Sequence, residues 1–399
     1  MIRRPPRSTQ GVSSAASDVY KRQHEVQGAI ELLLSEGWLS QTLRIHPDES
    51  EEFRLVPLDS DAPQDLPPPL DQYPILVTEG KPTQNRRPSW QSVLEELVGA
   101  ETVEEYESIW PASHEFIGDM MLLKIEEEVR IYEEQIVKSK MESHPHVRLV
   151  LEDRGVKGEF RVRDLRPMAL RINGQIKHNP SSDAVETRVE VRESGNTIIC
   201  DPTLAYYSSR LQTERIQNVI EAEALREKIG APIAVADPFC GVGPALAHLI
   251  NRQHLTSQIL ASDLNPEAIN ILNDNLRRWR GCNFVEENQT KLQFNKDIWS
   301  GIQDARELPN NPELLGRWNM LIINLPHLFS EFLPLLLPLM DVTKPYVIRG
   351  RLVCRHDEIY DKHEQLMQQI SSPNAKVVLD PRRDYSPITS LCSVTIKNS

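Results

Sequence analysis

One stretch constrains the fold of this chain more than any other, and it runs Ala236-Asp-Pro-Phe-Cys-Gly-Val-Gly-Pro244. The apolar residues from Ile233 onward predict a buried strand, and the residues after Gly243 follow a helical pattern. Gly241 and Gly243 let the backbone approach a ligand closely, and the next helix offers free N–H groups at the same place. This order predicts the first unit of an α/β nucleotide-binding sheet, although a purely structural glycine turn has the same pattern.

Two acids select among nucleotide ligands. Asp263 follows the next apolar run, and an acid at the end of a second strand typically binds a ribose hydroxyl. Asp237 ends the first strand, where it would repel a pyrophosphate, and the dinucleotide fingerprint requires a small residue where this chain has Leu246. These features disfavour a nicotinamide dehydrogenase. They favour a cationic adenosine derivative without phosphates, such as S-adenosylmethionine.

Residues 201–399 alternate strand and helix patterns, which predicts a doubly wound, Rossmann-like parallel sheet in an α/β domain. An apolar run before Asn324 reads as another buried strand. Three later strands are predicted at 346–348, 377–379 and 393–396. Because ligands bind at the carboxyl ends of parallel strands, we expect Asp237, Asp263 and Asn324 to converge on one crevice.

Composition limits the class of protein. The chain has 399 residues, 39% of them hydrophobic, and a net charge of −13, which allows two or three domains and argues against a general basic coat for nucleic acid. The five cysteines are scattered without a C-x-x-C pair, so we expect no metal site and reduced thiols in a cytoplasmic protein. No apolar run reaches membrane-spanning length, so we expect no membrane association.

Changes in composition divide the chain into five parts. Residues 1–23 are basic, serine-rich and without periodicity; we expect disorder, and their likeness to translated adapter sequence suggests a tail foreign to the native protein. Residues 24–58 predict a small recognition module, and the acidic, proline-rich residues 59–90 predict an extended linker. Residues 91–200 predict a small α+β domain that contributes to RNA binding, and residues 201–399 carry the large sheet.

Two arginines in the α+β domain are candidates for anion binding. If residues 160–165 form a strand, Arg161 and Arg163 point to one face, where they would suit an RNA phosphate or a base oxygen. The alternative is a pair of surface salt bridges with Glu159 and Asp164.

A helix start precedes the first strand of the large sheet. Ser209 and Gln212 have the spacing of a capping box, and Arg210 and Glu214 are four residues apart on one helical face. This helix is placed to cover the cofactor pocket. The alternative is an ordinary surface ion pair between Arg210 and Glu214.

Together these pieces resemble the tRNA (guanine-37 N1)-methyltransferases of archaea and eukaryotes, over most of residues 24–399 outside the linker. The matching pieces are Arg161 in Gly-Glu-Phe-Arg-Val-Arg, Arg210-Leu-Gln-Thr-Glu-Arg215, Asp237-Pro-Phe-Cys-Gly-Val-Gly-Pro244, Asp263-Leu-Asn-Pro266, Asp304-Ala-Arg306 and Asn324-Leu-Pro326. The resemblance implies a class I methyltransferase with S-adenosylmethionine as cofactor and tRNA as partner, and we expect a monomer without metal. Residues 24–58 also resemble the module of the archaeal members that contacts the tRNA elbow.

The resemblance also implies roles for individual residues. Glu214 would be the general base, Arg161 the base-binding arginine and Asn324 the polar residue at the site of methyl transfer. Because the segment 173–187 is longer than in the family, Arg163 is an alternative to Arg161. The expected cofactor contacts are Arg215, Asp237, Gly241, Gly243, Asp263, Leu264, Asp304, Ala305 and Asn324. Arg163 and Arg210 are the expected substrate contacts.

The chemistry of the expected reaction agrees with these residue types. Guanine N1 carries a proton at neutral pH, and a carboxylate within hydrogen-bond reach can accept it. The negative charge that develops on O6 needs a fixed cation, and N1 becomes reachable only when the base leaves its stack.

Two other functions remain open at this point. A wybutosine-pathway enzyme that transfers the aminocarboxypropyl group of the same cofactor shares the fold but usually lacks the Arg-Leu-x-x-Glu-Arg and Asn-Leu-Pro pieces. A tRNA-binding protein without catalytic activity would not need Glu214, Asp263 and Asp304.

Overall fold

The computed structural model describes residues 10–14, 29–30, 32–33, 36, 38–40, 43–47, 54–59, 62–63, 66–78, 80–81, 88–284, 292–370 and 374–398. The chain forms two compact units, Met1–Ser89 and Trp90–Ser399. Within the described ranges, no helix is long and apolar enough to cross a membrane. The same residues contain no group of three or more His, Cys, Asp or Glu side chains that could hold a metal ion.

The first unit contains an antiparallel sheet with the strand order β2-β3-β1-β4. Its strands are β1 (Gln10–Ser14), β2 (His46–Pro47), β3 (Arg54–Leu58) and β4 (Ile75–Val77). Residues 29–30 and 32–33 are helical, and Ala29 and Leu33 belong to the same small core as Val56.

Two predictions for this unit are wrong in part. Leu66 and Leu70 are buried in its core, so the described part of the proline-rich segment is not an extended linker. These few apolar side chains are enough to hold the segment against the core. Gln10–Ser14 pairs with β3 and β4 although disorder was expected, because unpaired strand edges offer backbone groups to any extended segment. The other residues of 1–23 lie outside the described residues.

The second unit begins with a five-stranded sheet in the order β5-β6-β7-β8-β9, counted over the described residues. Its strands are β5 (His114–Ile117), β6 (Met120–Leu123), β7 (Leu149–Lys157), β8 (Val162–Ile172) and β9 (Gln175–His178), and the helices beside it are α1 (Trp90–Val98), α2 (Ala100–Glu105) and α3 (Glu133–Ser143). Leu94 and Ile136 of these helices pack with Val150 of the sheet. A separate hairpin of β10 (Val189–Glu193) and β11 (Asn196–Cys200) follows.

The large sheet has the order β14-β15-β13-β12-β16-β17-β19-β18 within the described part of the chain. Its strands are β12 (Ile233–Asp237), β13 (Thr256–Asp263), β14 (Gln293–Asn295), β15 (Ile298–Ile302), β16 (Met320–Ile323), β17 (Tyr346–Arg355), β18 (Ala375–Ser386) and β19 (Thr389–Asn398). Its helices are α4 (Gln212–Ile229), α5 (Pro244–Ile250), α6 (Pro266–Arg280), α7 (Phe329–Leu336) and α8 (Ile359–Gln369). Strands β15, β13, β12, β16 and β17 run parallel, as predicted, whereas β14, β18 and β19 pair antiparallel, so the sheet is mixed. The tight turn between β18 and β19 permits only an antiparallel pair.

Helices cover both faces of the large sheet, as a doubly wound fold requires. Side chains such as Val235 and Val347 pack against α4, α5 and α6, whereas Leu321 and Ile348 pack against α7 and α8. Alternate residues of each strand therefore point to opposite helical layers.

The predicted boundary at residue 200 does not separate two compact units. Ile117 and Leu149 of the five-stranded sheet share one buried cluster with Val242, Ala247 and Ala268 beside the large sheet. The two sheets are therefore held together by a common apolar core, and Trp90–Ser399 forms one unit.

Candidate active site

The glycine turn after β12 has the geometry that the sequence predicts. Gly241 and Gly243 have φ angles of 54° and 83°, in the left-handed region that favours glycine. A Cβ on Gly243 would lie 2.6 Å from Leu272 Cδ1, so a larger residue would have to displace the end of the Leu272 side chain. A Cβ on Gly241 would have only the Tyr206 carbonyl oxygen near it, at 3.8 Å, so this position borders open space.

Two carboxyl groups lie beside this turn without a cationic side chain. Asp263 accepts hydrogen bonds from the backbone N–H groups of Gly241 at 2.8 Å and Asn265 at 2.9 Å, and Asp237 accepts one from Phe239 at 3.3 Å. Over the described residues neither acid forms an ion pair. Burial raises the pKa of Asp237 to about 7 and also raises the pKa of Asp263. A cationic ligand in the crevice would stabilise both charges, as predicted for S-adenosylmethionine.

A third acid extends the crevice along the neighbouring strand. Asp304 precedes the 3-10 helix Ala305–Asn310, where its Oδ1 accepts a hydrogen bond from the Arg306 backbone N–H at 2.9 Å. The Arg306 guanidinium holds the pKa of Asp304 below its usual value. Because the Gln303 N–H donates to the Asp263 carbonyl oxygen at 3.1 Å, this loop lies directly beside Asp263. Leu264 is partly exposed next to it, whereas Ala305 is buried.

Glu214 lies in the first turn of α4 and points to the strands after β16, not to Arg210. Its Oε2 lies 3.2 Å from Arg349 Nη2 and accepts a hydrogen bond from Ser393 Oγ at 3.2 Å. Its Oε1 lies 3.5 Å from Arg382 Nε. The predicted alternative of a surface pair with Arg210 is therefore wrong.

Arg349 is the most constrained of these partners. Its side chain is 2% exposed and donates to Asn218 Oδ1 at 3.2 Å, to the Val394 carbonyl oxygen at 3.4 Å and to Thr395 Oγ1. Burial lowers the pKa of Arg349, and the nearby Glu214 carboxylate opposes that effect. A buried guanidinium with this many acceptors fixes the position of the carboxylate that it holds.

Asn324 lies on the same side of the sheet as Glu214. It directly follows β16, and its Oδ1 accepts hydrogen bonds from both Nε and Nη2 of Arg351, the former at 3.0 Å. Arg349 and Arg351 are two residues apart on β17 and therefore share a face, and Ser393 is the cross-strand partner of Arg351. Two adjacent arginines thus join the carboxylate of Glu214 to the amide of Asn324.

Arg349 and Arg351 were not predicted as site residues from the sequence. A signal was present, because two arginines at alternate positions of the apolar segment Tyr346–Arg355 indicate a strand face that is not purely apolar. Their partners could not be predicted from the sequence, since Glu214 is 135 residues away from Arg349.

The arginine pair of the α+β sheet is split by the structure. Arg161 is exposed in the turn between β7 and β8, with a φ of 53°, so the strand begins later than predicted. Arg163 is buried on β8, and it forms ion pairs with Glu115 at 2.8 Å and Asp153 at 3.1 Å. The prediction that Arg163 contacts substrate is therefore not supported, because its guanidinium is already paired inside the protein.

The turn that carries Arg161 also carries Glu159, whose charge acts on Arg306 beside Asp304. The pKa of Arg306 is raised, chiefly by Asp304, and Glu159 of the turn also contributes to this effect. Arg161 is two residues from Glu159 and, over the described ranges, has no carboxylate within ion-pair distance. The structure therefore leaves Arg161, of the two predicted arginines, available to a ligand.

Arg215 was predicted to contact the cofactor, but it does not face the crevice. It is buried, its Nη1 lies 2.5 Å from Glu193 Oε2, and its Nη2 donates to the Ser208 carbonyl oxygen at 2.8 Å. Glu193 also accepts from Tyr207 Oη and bonds His248 Nε2, each at 2.8 Å. This closed network satisfies the guanidinium, so Arg215 anchors α4 to the β10–β11 hairpin instead of contacting a cofactor.

Arg210 borders a separate cleft of about 460 Å³ that is lined by residues of β5, of β10 and of the turn before α4. Its Nη2 donates to Ser113 Oγ at 3.2 Å and to the His114 carbonyl oxygen at 3.4 Å. The capping box predicted here is wrong, because the Ser209 hydroxyl donates to Glu115 and α4 starts without a side-chain cap. Arg210 and Phe116 give this cleft a cationic and an aromatic wall.

Comparisons with known proteins identify relatives. The family model described as the TYW2 N-terminal domain matches residues 94–169. The tRNA (guanine(37)-N(1))-methyltransferase Trm5b of Pyrococcus abyssi is 25% identical over 302 residues, which cover 75% of this chain and 74% of the relative. The enzyme of the same name from Methanocaldococcus jannaschii is 25% identical over 257 residues, 64% of this chain and 63% of the relative. The resemblance predicted from the sequence is confirmed.

Solved structures show the same fold. The crystal structure of wild-type Trm5b from Pyrococcus abyssi superposes with a TM-score of 0.59 at 22% identity, covering 98% of this chain and 99% of the other. The complex of aTrm5 with tRNALeu gives a TM-score of 0.56 at 21% identity over 98% and 99% of the two chains. Pyrococcus horikoshii TYW2 in complex with MeSAdo gives 0.53 at 17% identity over 77% of this chain and 98% of the other. The predicted Rossmann-like fold class is confirmed.

Proposed function

We propose that this protein transfers a methyl group from S-adenosylmethionine to N1 of guanosine 37 in tRNA. One observation supports this above all: the Glu214 carboxylate and the Asn324 amide lie on one face of the sheet, joined by Arg349 and Arg351, where β16 ends beside the glycine turn. A proton acceptor and an amide next to a cofactor crevice are what N1 of guanine requires. The named relatives act on this same nucleotide.

The crevice fits S-adenosylmethionine. Gly241 borders open space and leaves room for a close approach, and Asp263 at the end of β13 suits a ribose hydroxyl. Asp237 is buried without a cationic partner among the described side chains, so a positively charged ligand suits its ionised form. When bound, the cofactor supplies an electrophilic methyl group.

The residues of the chain handle the proton and the charge. Glu214 accepts the N1 proton of the extruded base, which makes N1 nucleophilic. As the proton leaves, negative charge shifts toward O6, and a nearby donor or cation stabilises it. We assign the contact with O6 to Asn324 and to the exposed Arg161. Arg349 keeps the carboxylate in position throughout, because its guanidinium is itself held on several sides.

Contacts with the rest of the tRNA are assigned to two surfaces. Arg210, on the rim of the cleft beside Phe116, is suited to a phosphate or an unstacked base of the anticodon loop. Residues 24–58 are suited to the tRNA elbow, in keeping with their resemblance to the archaeal module. All five cysteines are free, which supports a reducing compartment such as the cytoplasm, and we infer that the enzyme acts there as a monomer.

The test uses a tRNA transcript with G at position 37 and S-adenosylmethionine labelled in the methyl group. We expect label in 1-methylguanosine after digestion, and no label when the transcript carries another base at that position. Absence of label from the G37 transcript would refute the proposal.

A second candidate is transfer of the aminocarboxypropyl group. The match of residues 94–169 to the TYW2 N-terminal domain favours it. The pieces Arg210-Leu-Gln-Thr-Glu-Arg215 and Asn324-Leu-Pro326 disfavour it, because enzymes of that kind usually lack them. Label placed in the aminocarboxypropyl chain, instead of the methyl group, would appear in the tRNA only if this second activity is the real one.

A further inference from the structure

We propose that Arg351 fixes the Asn324 amide as a hydrogen-bond donor, so that the site selects a base with an oxygen at position 6. This inference rests on the proposed function and adds to it a residue that sets specificity. It starts from the contact between the two side chains, in which Nε and Nη2 of Arg351 both donate to Asn324 Oδ1.

The contact leaves only one orientation for the amide. A guanidinium carries donors and no acceptor, so the atom of Asn324 that faces it must be the oxygen. The amide nitrogen then points the other way with two N–H donors. The Asn324 side chain is exposed, and within the described part of the chain no group accepts a hydrogen bond from Nδ2. Its donors are therefore available to a ligand.

Arg351 is held well enough to impose this orientation. It lies on β17, which is paired on both sides, with β16 and with β19. Gly350, on the opposite face, packs against Phe329 so closely that an added Cβ would lie 2.3 Å from the ring. This packing fixes the position of β17 against α7, and with it the backbone from which the Arg351 side chain extends.

The donor of Asn324 and the acceptor of Glu214 together match one purine edge. Guanine presents an N1–H donor beside an O6 acceptor, which is the complement of a carboxylate beside an amide N–H. A 6-aminopurine presents the inverse at both atoms, an N1 acceptor beside an amine donor. Its amine would face the Asn324 N–H and its N1 would face the Glu214 carboxylate, and neither atom would find a partner.

The experiment compares two bases at position 37 that differ at this edge, guanine and 2,6-diaminopurine, in otherwise identical tRNAs. Single-turnover methyl transfer is measured for wild type, Arg351→Met, Arg351→Lys and Arg355→Met. Arg355 is the matched control because it lies at the end of the same strand and pairs with Asp357 at the surface. Cofactor affinity is measured for every variant to show that the fold is kept.

We expect wild type to prefer guanine by about 10²-fold or more, since a site built around one hydrogen-bonding edge rejects the inverse edge strongly. Arg351→Met should reduce that ratio by about tenfold, because the amide can then rotate and offer its oxygen to the amine. Part of the preference for guanine should remain, since an unprotonated N1 cannot donate a hydrogen bond to the Glu214 carboxylate and its lone pair is repelled by it. Arg351→Lys, which keeps a donor, should retain most of the ratio, and Arg355→Met should retain all of it.

Two outcomes separate this inference from the proposed function. If Arg351→Met slows both substrates equally, Arg351 has only a structural role and the inference is wrong while the proposed function stands. If wild type methylates neither tRNA, the proposed function itself fails.

Discussion

Replacing Asp237 with Asn should stabilise the folded protein while it weakens the site. Asp237 is fully buried, and burial raises its pKa from 3.8 to about 7. Its only hydrogen-bond donor is the Phe239 N–H at 3.3 Å, and it forms no ion pair with the described side chains. An Asn side chain can accept the same hydrogen bond, and it has no charge to desolvate.

The magnitude follows from the difference between the folded and unfolded pKa values. Above pH 3.8 the unfolded chain releases the Asp237 proton, whereas the folded chain keeps it up to about pH 7. The folded state therefore binds more protons in this window, and its stability falls as pH rises through it. At about 1.4 kcal/mol for each pH unit, the loss reaches about 4 kcal/mol above pH 7 as an upper value.

Urea denaturation of wild type and Asp237→Asn, without cofactor, checks this expectation. Well below pH 3.8 the two should differ little, and above about pH 7 the variant should be more stable by a few kcal/mol. Asp341→Asn is a control of opposite sign, because hydrogen bonds from Thr343 lower the pKa of Asp341. Asp341→Asn should be less stable than wild type at the higher pH, where the lowered pKa of the Asp341 carboxyl contributes to the stability of wild type.

One result would refute the reasoning. If Asp237→Asn is no more stable than wild type above pH 7, the carboxyl does not carry a buried, unpaired charge in the folded chain. The crevice would then lack the unpaired charge that suits it to a cation.

Three further predictions concern the site and its support. Glu214→Gln should retain cofactor binding but lower methyl transfer by about 10²–10⁴-fold. The control Glu221→Gln, on the same helix and paired with Lys397, should leave turnover unchanged. A fully active Glu214→Gln would show that Glu214 is not the general base. Gly350→Ala should lower the free energy of unfolding by about 1–3 kcal/mol through overpacking, and Phe329→Leu in the same chain should restore part of it, since the added Cβ meets that ring. S-adenosylmethionine should bind more tightly as pH rises through about 7, since ionised Asp237 attracts a cation; calorimetry with methylthioadenosine, which carries no positive charge, should show no such rise.

The convergence of Asp237, Asp263 and Asn324 could be predicted because each residue follows its own strand directly. A local pattern locates a strand end, and parallel pairing then brings the ends to one edge of the sheet. The structure confirms that β12 lies between β13 and β16. Nothing beyond short-range patterns and one topological rule was needed.

The environment of Glu214 could not be predicted in the same way. Along the chain its natural partner is Arg210, four residues earlier, and sequence offers no reason to prefer a residue 135 positions away. The choice is made by the pairing of β17 with β19, which brings Arg349 and Ser393 under the start of α4. Long-range pairing of this kind is set by the whole sheet.

The arginines of the β7–β8 hairpin show how a small error in a strand boundary changes a functional assignment. A strand that begins at residue 160 places Arg161 and Arg163 on one face, whereas the observed strand begins at Val162 and leaves Arg161 in the turn. Arg163 then points inward to Glu115 and Asp153. A shift of about two residues thus turns a predicted anion-binding pair into a buried arginine with two carboxylate partners and an exposed arginine that has none among the described residues.

The ion pair between Glu214 and Arg349 affects how the carboxylate can act as a base. In the proposed reaction the Glu214 carboxylate accepts the N1 proton while Arg349 stays in place beside it. In this proposal the negative charge does not leave the site; it moves from the carboxylate to the purine, toward O6. Arg349 and Arg351 are neighbours on one strand face, so the first stabilises the charge before the transfer and the second, through Asn324, stabilises it afterwards. The total charge of the site stays constant during the step, and little reorganisation of the surrounding groups is required.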